Sequence, residues 1–421
     1  MLEFIEPKQS SSLVAVIQRF WRVFAYIRMG NIKVQIDRDV FYAFRQLKGK
    51  RAIVCPNHPA AEDGLFIFGL SAIMKERFAF LTARDSFGKA GKFQANTMQK
   101  LGCYSVERGM ADLHAFKASC KILKRGKCKL VIFPEGEISY KNSYLRRFES
   151  GPELIALSTL HEIQNNNSTE TVYILPLALR YRYSKDIRRH LSRVMRRVEY
   201  LFGITGEELE LKQRIRHAFE YLLLYLENKY SIKSTTTNLN KRILAFCEAR
   251  VSAIAAQVSS ENSDKLSLIR RIHLLMNRLA EIESTYNDSA DDKLQRKRIK
   301  KLYEQVKNLI GFMAVSEHSF SHDLSQEDAA ELIKLLVQEL PENIKVKKPD
   351  IVLVGAGRLL DVREFMPSNQ SQRKESVYKL KRELEHQIAN RLAQLDSTFR
   401  KILTVEPELD ETGEQEMSYA N

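Results

Sequence analysis

The stretch NHPAAED, residues 57–63, places a histidine and an aspartate five positions apart. A carboxylate on the imidazole Nδ1 fixes the tautomer and leaves Nε2 free to take a proton, the arrangement of a general base with its orienting partner. The stretch lies between a short apolar run, Ala52 to Val54 followed by Cys55 and Pro56, and a longer one from Leu65 to Leu70. Pro59 discourages helix at His58, and the apolar run after Asp63 predicts a helix beginning there. His58 is therefore expected on a strand-to-helix loop that curls back so that Asp63 meets Nδ1. No serine or cysteine nearby is placed as a nucleophile, so the pair would activate a hydroxyl carried by a substrate.

Three further segments have chemical content. LGCYSVERG, residues 101–109, reads as a strand ending in Arg108 and Gly109, and an arginine there can hold a phosphate bidentately. VIFPEGEIS, residues 131–139, is an apolar strand running into Pro134, Glu135 and Gly136, where glycine permits close backbone approach to a ligand. ILPLALRY, residues 174–181, is an apolar strand containing Pro176, which predicts an edge, a bulge or a strand start at that point.

Taken in order, these blocks resemble the glycerophospholipid acyltransferase family of the lysophosphatidate acyltransferase type. That family carries N-H-x4-D, G-x-x-x-V-x-R, F-P-E-G and an apolar strand with proline. The resemblance covers about residues 50–183, and GAGRLLDVREF at 355–365 is similar to the family's late strand. It implies an α/β core with a mixed sheet flanked by helices, catalysis by His58 with Asp63, and substrate contacts from Asn57, Arg108, Glu135, Gly136 and Ser139. The implied reaction moves a fatty acyl group from acyl-CoA or acyl carrier protein to a lysophospholipid-like acceptor, 1-acylglycerol-3-phosphate in phospholipid biosynthesis. It needs no metal and no other cofactor. The chain departs from the family after F-P-E-G, where Thr-Arg-Ser is usual and Glu137, Ile138 and Ser139 stand here. Glu137 would repel a phosphate; Lys141, Arg146 and Arg147 are the basic residues placed to substitute. The alternative is a catalytically inactive, acyltransferase-like protein that binds a membrane or nucleic acid. Intact His58, Asp63 and Arg108 argue against it.

The elements that must position these residues follow from patterning. Strands are expected at 51–55, 78–82, 103–106, 129–133 and 171–180, alternating with helices near 64–75, 86–100, 111–125 and 151–162, an α/β order. No proline occurs between Pro176 and Pro341, and glycine is scarce from 184 to 345, so that block reads as long helices. TGEE at 205–208 and SQED at 325–328 fit helix starts. Strand character returns in DIVLVGAG at 350–357, and helical spacing at 371–400. The expected division is an amphipathic segment at 1–48, a core at 49–183 with 346–368, a helical insertion at 184–345, a helical segment at 369–404 and an acidic, disordered tail at 405–421.

The 421 residues carry a formal net charge of +15, which attracts polyanions. Five cysteines without a C-x-x-C pair suit a reducing compartment and give no zinc or redox motif. HSFSH, with His318 and His322, lacks a third ligand, and GAG at 355–357 lacks the rest of a dinucleotide loop. The start MLEFIEPKQ lacks the features of a secretory signal. Residues 11–30 are interrupted by Arg19, Arg22 and Arg28 and so do not read as a span. Their apolar stripe and arginines instead predict a helix lying in a membrane interface, with Phe20, Trp21 and Phe24 inserted. Residues 185–202 form a second basic amphipathic helix, with Arg189, Arg193, Arg196 and Arg197 near one face. The expected partners are the thioester donor, the acceptor and an anionic membrane surface, on whose cytoplasmic face the protein would be peripheral. Nucleic acid is not expected.

Overall fold

The computed structural model describes residues 3–404 except 22, 24–25, 28–31, 90, 143–144, 167, 205–208, 234–235, 261–264, 287–289, 321–323 and 341. Expectations that rest on Arg22, Phe24, Arg28, the TGEE cap, His322 and the acidic tail lie outside the described residues.

The chain runs α1 (Ser11–Arg19), β1 (Lys33–Ile36), α2 (Arg38–Gln46), β2 (Arg51–Pro56), α3 (Asp63–Met74), β3 (Phe78–Ala83), α4 (Arg84–Lys89), α5 (Gly91–Lys100), β4 (Cys103–Val106), α6 (Leu113–Arg125), β5 (Lys129–Val131), α7 (Gly151–Asn165) and β6 (Val172–Arg182). A helical block follows: α8 (Arg188–Phe202), α9 (Leu211–Lys229), α10 (Leu239–Gln257), α11 (Leu268–Thr285), α12 (Ala290–Ala314) and α13 (Gln326–Gln338). The chain then returns to the sheet with β7 (Ile351–Ala356) and β8 (Leu360–Asp361) and ends in α14 (Arg373–Thr404). Ser325 caps α13, its hydroxyl accepting from the Asp328 N–H at 3.1 Å, as SQED predicts.

The strand order is β1-β7-β6-β2-β5-β3-β4, with β8 also on β6. From β6 through β4 every neighbour is parallel, while β7 and β8 run antiparallel to β6, so the sheet is mixed. Helices cover both faces. Leu123 of α6, Leu160 of α7 and Leu384 of α14 fill one side. Val40 and Phe44 of α2 and Ile67 of α3 fill the other. β2 has sheet neighbours on both edges and helices on both faces, and Ala52 to Cys55 are accordingly fully buried and apolar. The helical block has its own core, in which Leu191, Phe219, Cys247, Ile272, Val306 and Leu336 meet. It is inserted between two adjacent antiparallel strands, β6 and β7.

Three local outcomes differ from the sequence patterning. The strand β1 was not foreseen. It adds parallel to β7 with Lys33 opposite Ile351, but it is four residues long, mostly exposed and at the sheet edge, so its sequence has little to distinguish it. Pro176 is neither at an edge nor at a strand start, because β6 extends from Val172 to Arg182 between β2 and β7. Its carbonyl accepts from Gly357 N at 3.0 Å, on the side where β7 has ended at Ala356 and β8 begins only at Leu360. The missing N–H of Pro176 therefore falls in a break of the ladder, and no strand partner loses a bond.

Trp21 is the third. It is packed inside, its ring 5.7 Å from that of Phe68 and lying over Gly69, where a Cβ would come within 2.2 Å of the indole. Phe20, Val23 and Ile27 instead face outward, 62%, 60% and 73% exposed. Gly355 and Gly357 likewise serve packing. They admit Arg391 and Gln387 of α14 against the backbone of the β7 end. Among the described residues no helix is long and apolar enough to cross a membrane.

Candidate active site

The loops that leave the carboxyl ends of parallel strands β2, β3, β4 and β5 converge on one rim of the sheet. In open α/β sheets that rim is where ligands bind. His58 follows β2, Asp85 follows β3, Arg108 follows β4 and the F-P-E-G loop follows β5.

His58 Nδ1 lies 2.8 Å from Asp63 Oδ2. Asp63 opens α3, where the helix dipole favours a carboxylate, and it is fully buried. The Ala60 N–H donates to the same oxygen at 2.8 Å, and the Tyr181 hydroxyl, from β6, donates to Oδ1. Burial pushes the Asp63 carboxyl up, and the hydrogen bonds from His58, Tyr181 and Ala60 pull against it. Burial also holds the Tyr181 phenol well above its usual range, so its O–H stays a donor. An ionised Asp63 can only accept. Nδ1 therefore carries the proton, and Nε2 presents a lone pair. The imidazole stacks on Phe133, ring centroids 4.2 Å apart, which fixes its plane.

The F-P-E-G loop grips the His58 backbone from both sides. His58 N–H donates to Glu135 Oε1 at 2.6 Å, while Ser139 N and Oγ donate to the His58 carbonyl at 2.8 and 3.1 Å. The second oxygen of Glu135 accepts from the Arg146 N–H at 3.0 Å, and burial raises the Glu135 carboxyl. Gly136 turns the loop with φ of 70°, a left-handed conformation that favours glycine. Asn57 continues the β2–β6 ladder with its side chain: Nδ2 donates to the Leu179 carbonyl at 3.1 Å and Oδ1 accepts from Leu179 N at 2.6 Å. Asn57, Glu135 and Ser139 thus spend their polar atoms on holding the loop.

Arg108 is engaged by protein carboxylates. One guanidinium nitrogen donates to Glu137, and the other lies 3.1 Å from both oxygens of Asp85. The insertion closes over this cluster. His273 Nε2 of α11 is 3.1 Å from Glu137, and Tyr303 of α12 donates to Asp85. Asn277 and Arg270 of α11 donate to the carbonyls of Arg108 and Gly109, each at 3.1 Å. At Gly109, φ is 85°, and a Cβ would lie 3.0 Å from that of His273 and 3.1 Å from the Arg270 carbonyl, so any side chain here would push α11 away. Burial alone would raise the Glu137 carboxyl, but Arg108 and His273 bring it down to about 2. Glu137, the residue that departs from the family pattern, thus neutralises Arg108 from within the chain.

Sequence reasoning singled out His58, Asp63, Asn57, Arg108, Glu135, Gly136 and Ser139, and the structure brings all of them to this rim. It missed Tyr181, Asp85, His273 and Tyr303. These reach the site across separations of 118 residues for Tyr181 to Asp63 and 218 for Tyr303 to Asp85, and no local pattern marks them. Among the described residues no group of three or more potential ligands could hold a metal.

Residues 34–180 match the family model described as Acyltransferase. That span runs from β1 into β6, contains His58, Asp63, Arg108 and the F-P-E-G loop, and stops before the helical insertion. No curated protein matches the chain. The matched region is about a third of the sequence, and it holds the rim apart from Tyr181, one residue beyond its end, and what the insertion lays over it. Residues 34–180, the part of the α/β core that carries the His58–Asp63 pair, are therefore similar to the acyltransferase family.

Proposed function

We propose that this protein is an O-acyltransferase that moves a fatty acyl group from a thioester, acyl-CoA or acyl carrier protein, to a hydroxyl of a lysophospholipid-like acceptor such as 1-acylglycerol-3-phosphate, in phospholipid biosynthesis. The observation that carries this reading is the His58 Nδ1–Asp63 Oδ2 contact of 2.8 Å at the carboxyl rim of the parallel strands. His58 Nε2 takes the hydroxyl proton as the acceptor oxygen attacks the thioester carbonyl. The tetrahedral intermediate collapses to an ester, and the leaving thiolate receives the proton back from the imidazolium. Asp63 stabilises that imidazolium and holds the ring in place. General base catalysis of this kind contributes about 10²–10⁴-fold. Release of free thiol that depends on both lysophosphatidate and His58 is the test. A folded protein that releases none with any thioester and hydroxyl acceptor supplied would contradict the proposal.

The same reading places the protein on the cytoplasmic face of a membrane. Val16, Phe20, Val23 and Ile27 recur at helical spacing and are exposed, beside the exposed Arg19. Arg189, Arg193 and Arg196 line the exposed face of α8. Each basic residue near an anionic surface is worth about 1 kcal/mol, and salt screens it. Replacing Phe20, Val23 and Ile27 with serine should release the protein from anionic vesicles in co-sedimentation and leave turnover of short-chain soluble substrates intact. Unchanged sedimentation would remove this segment from membrane docking.

A further inference from the structure

Arg108 has two carboxylates of its own, Glu137 and Asp85, and lies beneath α11 and α12. A phosphate approaching it would meet two buried negative charges. An acceptor with a phosphomonoester therefore needs a different anchor. On the other arm of the F-P-E-G loop Lys141 and Arg146 lie near enough for their charges to interact, with the single carboxyl of Glu135, itself raised by burial, beside them. Arg146 is tied through its backbone N–H to Glu135, the same carboxylate that holds the His58 N–H. Lys141 N is 3.4 Å from Ser139 Oγ, which in turn donates to the His58 carbonyl. Both side chains are half-buried, and burial together with the neighbouring Arg146 lowers the Lys141 ammonium to about 8. The Arg146 Nη1 is enclosed without a hydrogen-bond partner. An enclosed, unsatisfied donor is costly, so it points to a group that meets it when substrate is present.

We infer that Lys141 and Arg146 form the phosphate-binding site of this enzyme, next to His58, in place of Arg108. The inference rests on the acyl-transfer reading for its substrate, but not for its geometry. The chemistry recognised is a phosphate ester, carried by the acceptor headgroup or by the nucleotide of a CoA donor. An arginine–phosphate contact is bidentate and charge-assisted, and a lysine adds a point charge. Truncating the Arg146 side chain leaves its backbone bond to Glu135 in place, so the His58 loop is preserved.

Binding of inorganic phosphate to the full chain, followed by calorimetry, needs no turnover. Arg146→Gln and Lys141→Gln should each weaken it about 10–100-fold, Arg146→Lys should retain most of it, and Arg147→Gln, an exposed neighbour, should leave it unchanged. Steady-state arms then separate the two sources. If the acceptor carries the phosphate, Arg146→Gln raises KM for lysophosphatidate but not for monoacylglycerol. If the donor carries it, the rise appears with acyl-CoA and not with acyl-pantetheine. Equal phosphate affinity in wild type and both glutamine variants, or no binding by wild type at tens of millimolar phosphate, overturns the site. So does loss of binding in a folded Arg108→Met variant while Arg146→Gln still binds. Absence of acyl transfer together with the expected phosphate pattern would defeat the acyl-transfer reading and leave the site standing.

Discussion

At the scale of single residues, His58 is held by three different kinds of constraint: Asp63 on its ring, Phe133 beneath it, and Glu135 and Ser139 on its backbone. Tyr181 completes the set by donating to Asp63 from β6. Tyr181→Phe leaves a buried carboxylate oxygen without that donor and should lower stability by about 1–3 kcal/mol, read by chemical denaturation. Glu153 shows the opposite situation. It is fully buried on α7, neither oxygen has a hydrogen-bond partner, and burial raises its carboxyl to about 7. A raised carboxyl leaves the folded state binding its proton more tightly than the unfolded state. That contribution is complete below the unfolded value near 4.5 and is lost as pH rises through about 7. Glu153→Gln should therefore match wild type near pH 4 and exceed its stability by about 3 kcal/mol at pH 8. The His58–Asp63 pairing was legible because both residues sit in one short loop bounded by Pro59 and an apolar helix. Tyr181 was not, because an outward-reading tyrosine in an apolar strand looks the same whether or not a carboxylate waits across the sheet.

Elements show the same contrast. The helical block was legible from its lack of proline and glycine, and the parallel strands from their short apolar runs. Neither pattern carries information on how the block docks. Docking depends on α11 and α12, which bring Arg270, His273, Asn277 and Tyr303 onto the loop after β4 and onto the neighbouring carboxylates. Glu137 is central to that contact. Its carboxyl, held near 2, contributes stability that is fully present above the unfolded value near 4.5 and is lost as pH falls from there toward 2. Glu137→Gln should cost about 3 kcal/mol at pH 7, and the difference from wild type should shrink on acidification. A pH-independent difference would place the energy elsewhere. The N-terminal helix gives an optical test, since Trp21 is the single tryptophan of the chain. A Cβ on residue 69 would collide with the indole. Gly69→Ala should therefore displace it, red-shift its emission and cost about 1–3 kcal/mol. Unshifted emission would show that Trp21 is not packed there.

The whole molecule joins a rim that matches a family model to a helical cover that lies outside the match. The core supplies the His58–Asp63 pair proposed as the base, and the insertion seals the side of the rim where Arg108 lies. The half-buried cations Lys141 and Arg146 lie on the other arm of the same loop. The resemblance carried by four short motifs foresaw the rim and the chemistry class, because those motifs are the loop ends of parallel strands. It did not foresee that Glu137 would be an internal counter-ion, because the partners that make it one, Arg108 and His273, come from opposite sides of the insertion boundary. The central claim is that His58 is the base for transfer to a hydroxyl. Thiol release from acyl-CoA, measured with and without lysophosphatidate for wild type and for His58→Ala of unchanged circular dichroism, tests it most directly. The account predicts acceptor-dependent release by wild type and a fall of about 10²–10⁴-fold in kcat for the variant; a folded His58→Ala protein that turns over at the wild-type rate would contradict it.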